Sequence, residues 1–193
     1  MNERIIVPKK LVRGDHIRVV APSRSMSIIS NEVRDLAIDR LKLYGDFNIS
    51  YGKNVDETDE LNSSSIKSRV DDLHNAFQDT SVKAIFTGIG GYNANQLLRY
   101  LDFDLIKDNP KILCGFSDIT IVSNAITAKT GVVTYSGPHF SSWGMKKGFE
   151  YTLESFWKAC VDFPPYEIFP SKEWSDDPWF INQEDREFIK NSG

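Results

Sequence analysis

The chain has 193 residues, of which 40% are hydrophobic and 26% are charged, and its formal net charge is −4. This composition is typical of a globular protein and excludes the disordered and fibrous classes. The excess of acidic residues also argues against a nucleic acid as a partner, because proteins that bind phosphate backbones concentrate basic residues on one surface. No stretch reaches the ~18 apolar residues of a membrane span and the amino terminus has no signal-peptide core, so we expect a cytoplasmic protein without a membrane partner.

The chain has two cysteines, Cys114 and Cys160, and both lie in apolar segments. Two cysteines are too few for a disulfide framework, so the sequence predicts two buried and reduced thiols. No group of histidine, cysteine and carboxylate residues has the spacing of a zinc site. We therefore expect neither a metal ion nor a cofactor.

Predicted strands and helices alternate along most of the chain. The strands are predicted in HIRVVAPS (16–23) and over 48–51, 82–88, 111–115 and 132–138. The helices are predicted over about 30–43, 66–77, 97–101, 116–129 and 149–161, and the polar segment 52–65 is predicted to be an exposed loop. This alternation is typical of βαβ units, so we expect an α/β fold with a mainly parallel sheet and helices on both faces.

The last 31 residues, 163–193, differ from this pattern. They contain four of the eight prolines and seven aromatic residues, among them Trp174, Trp179 and Phe180. Disordered tails are usually poor in aromatic residues, so we expect these side chains to pack against another part of the protein. Our hypothesis is that residues 1–163 form one α/β domain, and that 164–193 are a linker leading into a second domain that is missing from this chain.

The segment GFSDIT at 115–120 is the strongest local signal for chemistry. A buried strand that ends in Gly-x-Ser and runs directly into a helix is typical of a nucleophile elbow, in which Ser117 would be exposed above the sheet. The N–H of the next residue, Asp118, would then face the site as an oxyanion donor. The second glycine of G-x-S-x-G is absent, because Ile119 occupies its position. The alternative is that Ser117 or Asp118 only caps the helix that follows.

The turn GIGGYN at 88–93 also has two interpretations. It is not a dinucleotide fingerprint, because Asn93 stands where the third glycine would be, and no Walker lysine follows. Consecutive glycines allow backbone N–H groups to approach a substrate carbonyl, as in an oxyanion hole. The same glycines could serve only a tight connection between a strand and a helix, and both interpretations can hold together.

A serine nucleophile needs a base, and the chain offers three histidines. His16 precedes the first strand, at the amino end of the sheet, where ligands do not gather. His74 is predicted on the solvated face of a helix. His139 follows the fifth strand and is the one histidine expected near the carboxyl-end crevice, but it has no evident carboxylate partner. On its own terms the sequence presents a nucleophile without a base.

Residues 84–138, from AIFTGIGGYN through GFSDIT to TYSGP, resemble the LD-carboxypeptidase family. This family of serine peptidases includes the murein tetrapeptide carboxypeptidases and the microcin C self-immunity proteins. The resemblance extends from the RVVAPS strand near the amino terminus to WSDDPWF at 174–180. The stretch KEWSDD at 172–177 is more similar to the self-immunity branch.

The resemblance implies a two-domain, flavodoxin-like protein with a Ser-Glu-His triad. Ser117 matches the nucleophile, and the backbone N–H groups of Gly91 and Asp118 match the oxyanion donors. The glutamate and the histidine of the family lie in its C-terminal domain, so they correspond to no residue of this chain, which alone should be inactive. Two departures stand out: Asn93 replaces a common glycine, and the larger one is the truncation, which leaves out the glutamate and the histidine. His139 is not where the family places its histidine.

The resemblance also implies the substrate and the partners. The expected substrate is a small peptide or a peptidyl nucleotide, namely a murein tetrapeptide in peptidoglycan recycling or a microcin C-like compound in self-immunity. The expected assembly is a homodimer. The alternative is a non-catalytic α/β domain that binds a peptide or a nucleotide, with Ser117 as a helix cap.

Overall fold

The computed structural model describes residues 5–178 and 183–192 of the chain. A parallel sheet of five strands lies at the centre, in the order β2-β1-β3-β4-β5. Its strands are β1 (His16–Val20), β2 (Asn48–Tyr51), β3 (Val82–Thr87), β4 (Ile112–Gly115) and β5 (Tyr135–Ser136). This is the strand order of the flavodoxin-like doubly wound fold, so the predicted fold class is confirmed.

Within the described residues, five α-helices cover both faces of the sheet. They are α1 (Asn31–Gly45), α2 (Ile66–Gln78), α3 (Phe103–Asp108), α4 (Thr120–Thr130) and α5 (Glu150–Cys160). Short 3-10 segments are found at Met26–Ile28, Ala94–Leu97, Ser117–Ile119 and Phe140–Gly144. Helices α1 and α5 pack on one face, and α2, α3 and α4 pack on the other.

Alternate residues of the central strands supply the two cores. Val19 and Phe86 face α1 and α5, whereas Val20 and Ile85 face α2 and α4. These side chains are fully buried, and each contributes roughly 1.5–3 kcal/mol relative to an exposed position. The strands are apolar on both faces, as is typical of a parallel sheet between two helical layers.

The structure differs from the sequence-based expectations in four places. Helix α3 was not predicted, and it begins after Asp102, whose carboxylate accepts a hydrogen bond from the Leu105 N–H at 2.9 Å. Strand β5 has only two residues of the predicted 132–138. The helix predicted at 97–101 is instead the 3-10 segment Ala94–Leu97. The predicted exposed loop at 52–65 is buried at Val55 and at Ser63, which is 0% exposed.

The described residues of the tail, 164–178 and 183–192, form little regular structure. A two-residue strand β6 (Glu173–Trp174) pairs in antiparallel fashion with β7 (Ile189–Lys190). Phe163 is 82% exposed and Phe169 is 60% exposed, so these rings have not found the predicted packing partner within the described residues. Trp179 and Phe180 lie outside the described residues, and the division into 1–163 and 164–193 stays a prediction.

Two further expectations concern the thiols and the membrane. Cys114 and Cys160 are both buried, and neither forms a disulfide, which confirms the prediction of reduced thiols. Burial raises the pKa of Cys160 to about 12, so this thiol stays protonated at neutral pH. In the described part of the chain, no helix has both the length and the apolar character that crossing a membrane requires.

Candidate active site

The two turns that the sequence singled out lie together at the carboxyl edge of the sheet. Strand β4 ends at Gly115 and leads directly to Ser117, and strand β3 ends at Thr87 and leads into the turn 88–93. The two strands are neighbours, with Phe86 paired to Cys114. Ligands of doubly wound folds bind at this edge, so the placement agrees with the predicted site.

Ser117 has the backbone geometry of a nucleophile elbow. Its φ angle is 62°, in the left-handed region that a residue with a side chain rarely adopts. The side chain is exposed, and its hydroxyl makes no hydrogen bond within the described residues. Conformations of this kind persist where the surrounding structure enforces them, and they cluster at functional sites.

The structure contradicts the helix-capping alternative. The residue at the N-cap of α4 is Ile119, and no side chain caps that helix. The 3-10 segment Ser117–Ile119 likewise has no side-chain cap, since Phe116 occupies that position. Neither the Ser117 hydroxyl nor the Asp118 carboxylate therefore serves the helix that follows.

The Asp118 carboxylate instead binds two other segments of the chain. Its Oδ2 accepts hydrogen bonds from the backbone N–H groups of Asn93 and Ala94, each at 2.9 Å. The hydroxyl of Ser23, just after β1, donates to the same oxygen. Asp118 follows Ser117 directly, so its hydrogen bonds connect the loops after β1 and β3 to the segment that carries Ser117.

The peptide group between Gly90 and Gly91 is held in one orientation. Arg24 Nε donates to the Gly90 carbonyl at 3.1 Å, and the trans geometry of the peptide then points the Gly91 N–H away from Arg24. No backbone carbonyl of the described residues accepts this N–H. A Cβ on Gly91 would lie 2.2 Å from Ser23 Oγ, so only glycine fits.

The backbone N–H of Asp118 is a second candidate donor. It belongs to the first turn of the helical segment Ser117–Ile119, where N–H groups have no intrahelical acceptor. The Asp118 side chain is occupied by Ser23 and by the turn 88–93, so it does not fold back onto its own N–H. Among the described residues neither the Gly91 N–H nor the Asp118 N–H has a backbone acceptor, so both stay candidates for oxyanion donors.

His139 lies behind the nucleophile. It is 2% exposed, its ring contacts the Phe116 ring at 4.3 Å between centroids, and its Nδ1 is 2.6 Å from Thr87 Oγ1. A Cβ on Gly90 would lie 3.2 Å from Ser117 Oγ and 3.4 Å from His139 Nε2. Nevertheless, Nε2 makes no hydrogen bond within the described residues, to Ser117 or to any other group.

Burial also decides the protonation state of His139. It lowers the pKa of the imidazole to about 4, although the backbone carbonyls of Phe116 and Thr87 partly oppose the shift. The ring is therefore neutral at physiological pH. His139 is near the crevice, as expected, but it is not paired with Ser117 as a base.

The other two histidines are remote from the site. His16 lies at the amino end of β1, as predicted, and its ring nitrogens make hydrogen bonds with the hydroxyls of Ser50 and Ser81. His74 corrects the prediction of a solvated side chain: it is half-buried, and its Nε2 accepts the Asp102 N–H at 2.9 Å. Among residues 5–178 and 183–192, no three His, Cys, Asp or Glu side chains are grouped as metal ligands would be.

Sequence reasoning missed a buried polar cluster beneath the turn 88–93. It consists of Arg69, Asn93 and Ser63, which are 3%, 5% and 0% exposed. The sequence does contain a signal for this cluster. Arg69 lies three residues after Ile66 and four before Leu73, on the predicted apolar face of α2. A charged side chain on an apolar helical face indicates a buried polar partner.

Comparison with known proteins places this site in a family. The model of the LD-carboxypeptidase N-terminal domain matches residues 17–137. The putative carboxypeptidase YocD of Bacillus subtilis is 56% identical over 184 residues, which are 95% of this chain and 56% of YocD. The probable murein peptide carboxypeptidase of the same organism is 33% identical over 135 residues, which are 70% of this chain and 41% of that protein.

Solved structures show the same relationship. The MccF-like protein from Bacillus anthracis superposes with a TM-score of 0.95 at 56% identity, over 97% of this chain and 57% of that one. The microcin C7 self-immunity protein MccF, in complex with aspartyl sulfamoyl adenosine, superposes with a TM-score of 0.89 at 30% identity, over 97% and 58%. This chain thus spans little more than half the length of these relatives. From the match over residues 17–137 and these identities, the chain belongs to the LD-carboxypeptidase family.

Proposed function

We propose that this chain carries the nucleophile of a serine carboxypeptidase, with Ser117 as the attacking residue. The observation that carries this proposal is the φ angle of 62° at Ser117, which lifts an exposed, unbonded hydroxyl above the carboxyl edge of the sheet. Backbone conformations that are disfavoured for a residue with a side chain cluster at active sites, which supports a chemical role for Ser117. Membership of the LD-carboxypeptidase family supports the same role.

The proposed oxyanion donors are the backbone N–H groups of Gly91 and Asp118. In the reaction, Ser117 Oγ would attack the carbonyl carbon, and the negative charge that develops on the carbonyl oxygen would lie against both groups. The fixed Gly90–Gly91 peptide and the bonded Asp118 side chain support this assignment, because donors that are already oriented need no rearrangement during the reaction. Each such donor is typically worth about 10²–10³ in rate.

The base is proposed to come from outside these residues. The family resemblance implies a glutamate and a histidine, and we assign neither to this chain. His139 does not substitute for them, because it is neutral, buried, bonded through Nδ1 to Thr87, and not hydrogen-bonded to Ser117. We therefore expect residues 1–193 alone to lack peptidase activity, since triad members act as a unit.

The proposed substrate has an amide-type bond at an L-amino acid. One candidate is the bond that releases terminal D-alanine from a murein tetrapeptide, and the other joins an aminoacyl group to the sulfamate or phosphoramidate nitrogen of a microcin C-like nucleotide. The C–N bond would break as the base passes the Ser117 proton to the departing nitrogen, and water would then hydrolyse the acyl-enzyme. The similarity to a probable murein peptide carboxypeptidase supports the first candidate, and the similarity to MccF, which was solved with aspartyl sulfamoyl adenosine, supports the second.

A fluorophosphonate probe tests the proposal directly. In the full-length protein we expect covalent labelling of Ser117, detected by mass spectrometry of the peptide, and no labelling of the Ser117→Ala variant. An unlabelled wild-type protein that still binds a peptide or nucleotide would favour the non-catalytic binding domain instead. Offering both candidate substrates together, with products measured by mass spectrometry, then separates murein turnover from self-immunity.

Three further expectations stay predictions at this point. They are the homodimer, the cytoplasmic location, and the division of the chain at residues 163 and 164. Light scattering of the purified protein measures the first, cell fractionation the second, and limited proteolysis the third. Early cleavage within 20–160 would contradict the proposed compact domain.

A further inference from the structure

Beneath the turn 88–93 lies a cation that has no carboxylate partner among the described residues. Arg69 is 3% exposed, and its guanidinium donates only to neutral oxygens, one of which is the Pro22 carbonyl at 3.4 Å from Nη1. Nη1 donates to the Asn93 side-chain and backbone oxygens, at 3.1 Å and 3.2 Å, and Nη2 donates to Gln96 Oε1 at 2.7 Å. Burial of a charge is unfavourable unless its hydrogen bonds are well made, so this arrangement needs an explanation.

Asn93 connects this cation to the proposed active site. Its backbone N–H donates to Asp118 at 2.9 Å, while its side-chain and backbone oxygens accept from Arg69. Its side-chain nitrogen donates to Ser63 Oγ at 2.8 Å, and Ser63 Oγ donates in turn to the Ser23 carbonyl at 3.0 Å. All polar atoms of Asn93 are therefore bonded, with a cation on one side and a carboxylate on the other.

Asn93 lies close in sequence or by hydrogen bond to the two residues that carry the proposed oxyanion donors. Asp118 follows Ser117 directly and carries one proposed oxyanion donor. Asn93 is two residues from Gly91, which carries the other donor, and the residues between them form a turn rather than a helix or strand. The position of a turn without repetitive hydrogen bonds depends on side-chain contacts such as those of Arg69.

We propose that Arg69 is a positioning residue that acts through Asn93 on the reaction at Ser117. Arg69 touches no reacting atom; it fixes the turn from which the Gly91 N–H projects. The inference rests on the proposed function, and it concerns the cluster below the turn rather than the nucleophile. The family commonly has glycine at the position of Asn93. The proposed role of Arg69 gives this asparagine a function, because its side chain accepts the hydrogen bond from Arg69.

The test is a double-mutant cycle in the full-length protein. The variants are Arg69→Met, Asn93→Gly and the two combined, and the measurement is labelling of Ser117 by a fluorophosphonate at several probe concentrations. We expect each single change to lower the maximal labelling rate about 10-fold while the probe concentration at half-maximal rate stays the same, since misplacement of donors slows chemistry rather than binding. The combined variant should resemble either single variant, because both changes remove the bond from Arg69 to the Asn93 side chain.

The matched control is Arg18→Met. Arg18 is a half-buried arginine whose partner is the Asp79 carboxylate at 3.1 Å, and it lies on β1, away from the turn. We expect this variant to lose some thermal stability and to label at the wild-type rate. If Arg69→Met does not fold, Arg69→Lys and Asn93→Gly carry the same comparison, because lysine keeps the charge but cannot make all of the contacts.

The outcomes are distinct. Labelling of Arg69→Met at the wild-type rate would overturn the inference. So would a combined variant whose fold-loss in labelling rate is the product of the two single losses, or an Arg18→Met variant that loses as much labelling rate as Arg69→Met. A wild-type protein that the probe does not label would overturn the proposed function, and the inference with it. A slowed maximal rate in both single variants, without further loss in the combined variant, supports it.

Discussion

The Ser23 hydroxyl donates a hydrogen bond to the Asp118 carboxylate across 95 residues of sequence. The same carboxylate oxygen accepts the N–H groups of Asn93 and Ala94. Three loops, which follow the neighbouring strands β1, β3 and β4, thus converge on one charged acceptor beside Ser117. Hydrogen bonds to a charged group contribute about 1.5–3 kcal/mol each, so this carboxylate holds the loops together more strongly than neutral contacts would.

The first prediction is that Ser23→Ala slows the chemistry at Ser117. The substitution removes one of three donors to Asp118 and leaves the two backbone donors in place. We expect labelling of Ser117 by a fluorophosphonate to slow by about 3–10-fold, or about 0.6–1.4 kcal/mol, because the lost bond to a charged group, about 1.5–3 kcal/mol, is shared between stability and position. Kinetics of labelling in the full-length protein measure the effect.

Ser81→Ala is the matched control for this variant. Ser81 also donates its hydroxyl to an aspartate, Asp79 at 2.7 Å, but it does so at the amino edge of the sheet. A comparable change in thermal stability without a change in labelling is expected. Equal slowing in both variants would mean that the Ser23–Asp118 bond has no special relation to the site.

The second prediction concerns Gly91. In Gly91→Ala the new Cβ would lie 2.2 Å from Ser23 Oγ and 2.9 Å from Arg24 Cγ, so the turn must move. Because the Gly91 N–H moves with it, we expect a loss of about 10²–10³ in labelling or turnover, the usual effect of losing one oxyanion donor. Circular dichroism verifies that the variant is folded, and full activity in a folded Gly91→Ala protein would remove Gly91 from the proposed oxyanion hole.

The sheet and the location of the site could be predicted because their signals are local and repetitive. Runs such as VKAIFT at 82–87 and ILCG at 112–115 are apolar enough to indicate strands buried on both faces, and the structure confirms them. The glycine-rich turns after these strands then had to meet at one edge, because all the strands run parallel. Nothing beyond the order of elements was needed for this step.

The polar cluster beneath the site could not be predicted in the same way. Ser63 belongs to a hydrophilic segment that indicated a solvated loop, yet its hydroxyl is buried between Asn93 and the Ser23 carbonyl. A polar residue is buried when a distant partner satisfies it, and the partner is separated by 30 or more residues here. Hydropathy patterns measure neighbours along the chain, so they do not carry this information.

The third prediction concerns acid stability and His139. Its pKa is lowered to about 4 in the folded protein, against 6.5 for an ordinary histidine. The unfolded chain therefore binds more protons between these values, and folding stability falls as the pH drops from about 6.5 to about 4. Between pH 7 and pH 5 the expected loss from this one residue is about 2 kcal/mol.

Denaturant unfolding at pH 7 and pH 5 measures this loss. In His139→Gln the side chain no longer titrates, so the difference between the two pH values should shrink by about 2 kcal/mol. His16 and His74 also have lowered pKa values, but they contribute equally to both proteins and cancel in the comparison. His16→Gln is the control, and an unchanged pH dependence in His139→Gln would show that His139 titrates normally.

The fourth prediction is that the nucleophile position is strained and that glycine relieves the strain. With φ at 62°, Ser117 has a conformation that costs a residue with a Cβ roughly 1–2 kcal/mol, and glycine adopts it freely. We expect Ser117→Gly to be more stable than Ser117→Ala by about 1 kcal/mol in denaturant unfolding, and both to be unlabelled by the fluorophosphonate. Comparing two variants that both lack the hydroxyl separates the backbone effect from the loss of the side-chain oxygen.

Asp46 calibrates this comparison. It has a φ of 53° at the end of α1, far along the chain from the proposed site, and it offers the same pair of substitutions, Asp46→Gly and Asp46→Ala. If the glycine variant is more stable than the alanine variant at both positions, the left-handed backbone has a measurable cost. At Ser117 that cost accompanies the elbow geometry that exposes the hydroxyl. If glycine stabilises position 46 but not position 117, the turn around Ser117 accommodates a Cβ without strain. The φ angle of Ser117 would then no longer support a catalytic role.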